Sequence, residues 1–303
     1  MQLTKRTFLK TTGLASVGVG LGGLTTTSAA PIKRKGKSRL NLSLAAYSFR
    51  DYFKTATHQQ NRPSEAKSIT MHAFIDYCAE QGLAGAELTS YYLDQAINKA
   101  DLLKLKRHAF LRGMTISGTA VGNTFTHGKG AKRDEQVAHV KKWVDNAAVM
   151  GSPHVRVFAG NANGLSLADA QRNCIEVLEE VGDYAGKQGV FLGIENHGGI
   201  VAEADSLLKI VEATKSKWVG INLDTGNFHT DDVCTVTLLA ACDMLSMYNS
   251  RWKSDHAVPS RKARRILPAS LASCERATIR ASSLWNTRQQ PIRGRLSLSG
   301  SPN

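Results

Sequence analysis

Two stretches decide the reading of this chain: Phe191-Leu192-Gly193-Ile194-Glu195-Asn196-His197-Gly198-Gly199 and Val219-Gly220-Ile221-Asn222-Leu223-Asp224-Thr225-Gly226-Asn227-Phe228. Each is an apolar run of strand length that ends in a carboxylate and breaks into a glycine-containing turn. Each therefore presents one acid at the C-terminal end of a strand. A chain built from such units would collect its chemistry on a single rim.

Outward from these two stretches the same alternation continues toward the N-terminus. Leu40 to Tyr47 reads as a strand and Ile69 to Gln81 as a helix with Phe74, Ile75 and Cys78 on one face, stopped at Gly82. Leu83 to Leu88 is a second strand, ending near Glu87, and Asp101 to Arg112 a second helix, stopped at Gly113. A third strand, Thr115 to Val121, is followed by a helix from Glu135 to Met150 with Val137, Val140 and Val144 at helical spacing. His154 to Phe158 is a fourth strand, and Ser166 caps the next helix with Asp169 three residues on, in capping-box spacing. The two decisive stretches supply strands five and six, joined by a helix over Ala202 to Thr214. Strictly alternating strands and helices imply a parallel sheet of the α/β class, and units of roughly 30 residues suit an eight-unit (β/α) barrel.

The length of 303 residues and a hydrophobic share of 42% suit one large globular domain. The net charge of +14 is unevenly spread. Residues 31–232 hold 25 Lys and Arg against 22 Asp and Glu, whereas residues 233–303 hold 11 against 3. The basic balance is thus a property of the chain's two ends and gives no reason to expect a nucleic-acid partner. Cys78, Cys174, Cys234, Cys242 and Cys274 show no Cys-x-x-Cys spacing, so neither a disulfide framework nor a thiolate zinc site is indicated. Residues 1–30 read as an export signal peptide: Thr4-Lys5-Arg6-Thr7-Phe8-Leu9-Lys10, an uncharged stretch to Leu24, then Ser28-Ala29-Ala30 with cleavage expected after Ala30. The motif resembles a twin-arginine signal with Lys5 in the first arginine position, which implies periplasmic export without a stable membrane anchor. Residues 31–39 form a basic linker.

From residue 40 to 232 the chain resembles the sugar phosphate isomerase/epimerase family with a xylose isomerase-like TIM barrel. The resemblance is carried by Ser43 to Arg50, Gly85 to Tyr92, Ile116 to Asn123, Val155 to Gly160, Gly193 to Gly199 and Leu223 to Phe228, in that order. It implies a divalent cation held by Glu195 on strand five and Asp224 on strand six, with a His or amide from strand seven and a Glu from strand eight. Hard oxygen ligands favour Mg or Mn, with Co or Zn admitted if imidazole joins. The implied reaction is proton transfer in a sugar or sugar phosphate through an enediolate, with Glu195 as a proton carrier. His197, Glu87, Asn123 and Arg156 are expected to contact substrate, with an internal Glu87–Arg156 salt bridge as the alternative for that pair. An apurinic-endonuclease type of site would need several histidines, and Asn227 stands where it would want one. The non-enzymatic alternative is an exported sugar-binding or scaffold protein without turnover.

Residues 233–303 depart from the pattern as a basic tail in which no strand ends in an acid. A frameshift accounts for this. Read two nucleotides on, Trp285-Asn286 must encode Glu, Met247-Tyr248 must encode Val, and Tyr248-Asn249 must encode Gln if the frame is open. The windows Asp243 to Ser254 and Ala277 to Pro291 then resemble the family's seventh and eighth strands with their two missing ligands. The chain as written is accordingly expected to have about six βα units, an unclosed barrel with two exposed edges, half of the metal shell, and little or no activity.

Overall fold

The computed structural model describes residues 41–53, 68–224 and 227, together with the backbone of 245–252 and 282–287. Strand β1 (Asn41–Ala45) leads through a 3-10 turn (Ala46–Tyr52) to α1 (Met71–Glu80). Then follow β2 (Gly85–Glu87), α2 (Lys99–Leu111), β3 (Thr115–Ala120), α3 (Ala131–Met150), β4 (His154–Phe158) and α4 (Leu167–Lys187). The series continues with β5 (Phe191–Glu195), α5 (Ala204–Ala213), β6 (Val219–Asp224), β7 (Leu245–Trp252) and β8 (Ser282–Thr287). All neighbours pair in parallel, and the order β1 to β8 closes on itself as a barrel.

The sequence signals act as read. Ser166 Oγ accepts from the backbone N–H of Asp169 at 3.1 Å and donates to its carboxylate at 2.7 Å, so the cap of α4 is the expected one. Gly151 ends α3 in the left-handed region, φ 75°, where a Cβ would be strained. Alternate strand residues point opposite ways, which sorts the sequence into two layers. Val155, Val157, Leu192, Ile194, Ile221 and Leu223 join the apolar core that the helices cover. The other set, including Ser43, Gly85, Glu87, Gly193, Glu195, Asn222 and Asp224, is small or polar and also buried, as in Ser43 Oγ and Ser117 Oγ at 2.7 Å. Cys78 and Cys174 are buried free thiols, and burial pushes the pKa of each up to about 12.

Six strands with five intervening helices are described up to β6, as expected, and only the expectation of an open ring is corrected. Strands seven and eight form, and the ring closes: β6 pairs with β7, β7 with β8, and β8 with β1 through Asn41↔Ser282 to Leu44↔Trp285. The reason is that a ladder is made by backbone N–H and C=O groups, which any stretch free of proline supplies. Leu245–Trp252 and Ser282–Thr287 contain neither proline nor glycine and carry the strand-favouring residues Tyr248, Trp252 and Trp285. Requiring an acid at the strand end hid both. The segments that link β6 to β7 and β7 to β8 lie outside the described residues. The expected signal peptide 1–30, linker 31–39 and most of the segment 233–303 lie outside the described residues.

His154, at the start of β4, makes the fold acid-sensitive. Burial, and secondarily Arg156, lower its pKa from 6.5 to about 3. Below pH 6.5 the unfolded chain takes up a proton that the folded chain refuses until about pH 3, so stability present above the unfolded value is lost as pH falls. The expected loss is about 1.4 kcal/mol per pH unit in that window. Urea unfolding across mildly acidic pH checks it: His154→Gln should flatten the slope, and an unchanged slope would contradict the assignment.

Candidate active site

The register places the site. Phe158 lies beside Glu195, and Glu195 beside Asn222, so Asp224 stands two residues further along β6 at the barrel's C-terminal rim. Arg156 is two residues short of Phe158 and lies beside Gly193, which has no side chain to obstruct it. Its side chain climbs to the rim and donates from Nε to Glu195 Oε2 at 2.8 Å. Nη1 donates to the Tyr91 hydroxyl at 3.0 Å and to the Val121 carbonyl at 2.9 Å. The guanidinium carbon also sits 4.0 Å from the centre of the Phe158 ring. Burial alone would lower the pKa of Arg156, but Tyr91, Glu195 and Glu87 outweigh it and hold the group firmly charged.

Glu195 is buried, and its other oxygen, Oε1, accepts from Asn227 Nδ2 at 3.1 Å. Asn227 also donates its backbone N–H to the Asp224 carbonyl at 3.3 Å, so one residue after β6 touches both acid-bearing positions. Asp224 is fully buried, and Asn196 fixes its backbone from β5's end in two directions. Asn196 Nδ2 donates to Asp224 O at 2.9 Å, and Asp224 N donates to Asn196 Oδ1 at 2.8 Å.

Of the expected substrate contacts, the structure brings Glu87 and Arg156 close to Glu195, but not as the Glu87–Arg156 bridge. Arg156 pairs instead with Glu195. Glu87 accepts from Thr89 Oγ1 at 2.8 Å. Burial raises its pKa; Arg156 and Thr89 oppose that rise and Glu195 adds to it, so Glu87 keeps a proton more readily than an ordinary carboxyl. Asn123 repeats the geometry of Asn196 between β3 and β4: Nδ2 donates to Phe158 O at 2.7 Å and Oδ1 accepts from Phe158 N at 2.9 Å. Its amide is therefore engaged as a clamp. His197 is exposed, with its ring 4.6 Å from that of Phe158. Asn123, Phe158, Gly160, Asn161, Glu195 and His197 line a polar cleft of about 190 Å³. Gly199 packs against Gly160 at φ 58°, and a Cβ there would meet the Gly160 carbonyl oxygen.

Tyr91, Asn196 and Asn227 were not singled out as site residues from sequence. All three lie inside the quoted motifs, but hydroxyl and amide side chains that hold a neighbour carry no spacing signal of their own.

The described donors do not complete a divalent-cation site. A hard cation wants six or more oxygens, several of them anionic. Here one oxygen of Glu195 is held by Arg156 and the other by Asn227, and no cluster of three or more His, Cys, Asp or Glu suited to a metal occurs among the described residues. Neither Leu245–Trp252 nor Ser282–Thr287 contains a His or an acid.

A closed ring of eight parallel strands with buried acids at its C-terminal rim defines the class of β/α barrels whose chemistry sits at that mouth. Within it, the chain belongs to the xylose isomerase-like TIM barrel family, whose profile matches residues 75–257. The match passes Asp232, runs through β7 and stops before β8. No match is found among curated proteins. Among solved structures the chain is similar to a D-psicose 3-epimerase from Clostridium cellulolyticum H10 with D-tagatose, at TM-score 0.66 and 14% identity, covering 81% of this chain and 84% of that one. It is similar to the apo form of a 3-keto-D-glucoside 4-epimerase from E. coli, at TM-score 0.62 and 12% identity over 84% of this chain and 94% of that one. A third is the IOLI protein with a bound zinc atom, at TM-score 0.62 and 14% identity, covering 81% and 88%. At these identities the likeness is one of fold.

Proposed function

We propose that the chain descends from, and keeps the substrate mouth of, a sugar or sugar-phosphate isomerase or epimerase that moves a proton through an enediolate. The observation that carries this reading is the buried acid Glu195, fixed on both oxygens at the barrel's C-terminal rim and opening onto a polar cleft. The sugar-acting neighbours of the same fold lend it support.

In this reading Glu195 carries a proton to or from the carbon beside the substrate carbonyl. Arg156 and Asn227 fix the plane of its carboxylate, and the Asn196 clamp holds the end of β6 against that of β5. The raised affinity of Glu87 for a proton suits it to donate a hydrogen bond to a substrate oxygen. The family's cation, Mg or Mn in the first instance, is not assigned to the chain as written, because the described donors do not complete its shell.

That shortfall favours a second reading, a sugar-binding protein without turnover. Incubating the full chain with ketoses and sugar phosphates in deuterated water separates the two. Binding with deuterium incorporation beside the carbonyl supports turnover, binding without it supports the second reading, and failure to bind any sugar contradicts both. We also propose that residues 1–30 direct export to the periplasm. An N-terminus other than Pro31 on protein recovered from that compartment would count against cleavage after Ala30.

A further inference from the structure

We infer that Arg156 is the resident counter-ion of this site: its guanidinium does for Glu195 what a divalent cation would otherwise do, and the folded chain needs no metal to hold that carboxylate in place. The inference rests on the geometry of the pair and would stand even if the proposed reaction were wrong.

A buried carboxylate without a partner takes up a proton or destabilises the fold. Glu195 is 5% exposed at its side chain and Arg156 13%, so the pair is shielded from solvent, and their 2.8 Å contact is short and charge-assisted. The guanidinium has no freedom to leave. Tyr91 and the Val121 carbonyl hold Nη1, Phe158 covers the planar face, and these partners lie on three different segments of the rim. A lysine would offer a point charge without that fork. With Asn227 on Oε1, both oxygens of Glu195 have protein partners. In the chain as written, a divalent cation approaching Glu195 would meet a fixed positive charge in a medium that screens poorly, with no acid on β7 or β8 to offset it.

The test uses the full chain with Mn²⁺ as probe, followed by the loss of its free-ion electron paramagnetic resonance signal, and thermal unfolding with and without a chelator. The expected result is no stoichiometric Mn²⁺ binding at millimolar concentration and no shift of Tm on adding chelator. Glu195→Gln should lower the Tm of the chelated protein by roughly 5–15 °C, because it leaves a buried cation unpaired. Combining it with Arg156→Met should recover at least half of that fall, since the two changes then share one interaction. Two results would overturn the inference. One is a stoichiometric Mn²⁺ site that Glu195→Gln removes. The other is a Glu195→Gln protein that in chelator is as stable as the parent. If Arg156→Met fails to fold, the Mn²⁺ titration and the Glu195→Gln protein still decide.

Discussion

A protein whose residues after Asp232 are replaced by those encoded two nucleotides further on is expected to exchange the proton beside a ketose carbonyl about 10³-fold faster than the chain as written, and only with Mg or Mn present. The expectation follows from what each version places around the mouth. As written, Glu195 and Asp224 stand on the rims of β5 and β6, and the strands that follow, Leu245–Trp252 and Ser282–Thr287, offer no acid. Read in the shifted frame, the Tyr248-Asn249 junction supplies Gln if the frame is open, and the Trp285-Asn286 junction must supply Glu. Those junctions fall inside β7 and β8 of the present barrel. The backbone path is therefore already the one the missing ligands would need. Initial rates for both proteins over a metal titration check the claim, and equal rates would remove the frameshift from the account.

Asn196→Ala is expected to produce a large loss of stability at the rim. The side chain makes two hydrogen bonds to the backbone of Asp224, at 2.9 and 2.8 Å, in a region where Asn196 is 1% and Asp224 0% exposed. Truncation leaves a buried N–H and a buried C=O without these partners, at a cost on the order of 3 kcal/mol. For a domain of this size that corresponds to a fall in Tm of roughly 6–12 °C. Asn196→Asp separates packing from polarity, since it keeps the acceptor for the Asp224 N–H, loses the donor to the Asp224 carbonyl, and adds a negative charge beside Asp224. It should be no more stable than Asn196→Ala. Calorimetric melts of both variants check this, and a fall of less than about 2 °C for Asn196→Ala would show that the clamp carries little energy.

The first six strands were legible because each joins an apolar run to a punctuating glycine or polar turn, and the intervening helices because their stop signals, such as Gly82, Gly113 and Gly151, stand where the helices end. The last two strands lacked both cues. They are held by backbone pairing with partners on either side, information that no local pattern contains. The site divides in the same way. Glu195 and Asp224 could be placed because a strand's last residue must lie on the rim. That Arg156 would choose Glu195 over Glu87 depends on the offset between β4 and β5, which sets the lengthwise reach of its side chain and is not written in either strand alone. Asn123 and Asn196 were visible as polar residues at strand ends, but their role as reciprocal clamps needs the neighbouring backbone in view.

The central claim is that Glu195 is the proton carrier of a sugar-binding barrel mouth. It is tested most directly by deuterium incorporation at the carbon beside the carbonyl of a bound ketose, followed by nuclear magnetic resonance in the protein with the shifted C-terminus and in its Glu195→Gln variant. The account predicts exchange in the first and none above the uncatalysed rate in the second, with sugar binding retained in both. Exchange that survives Glu195→Gln undiminished would contradict it.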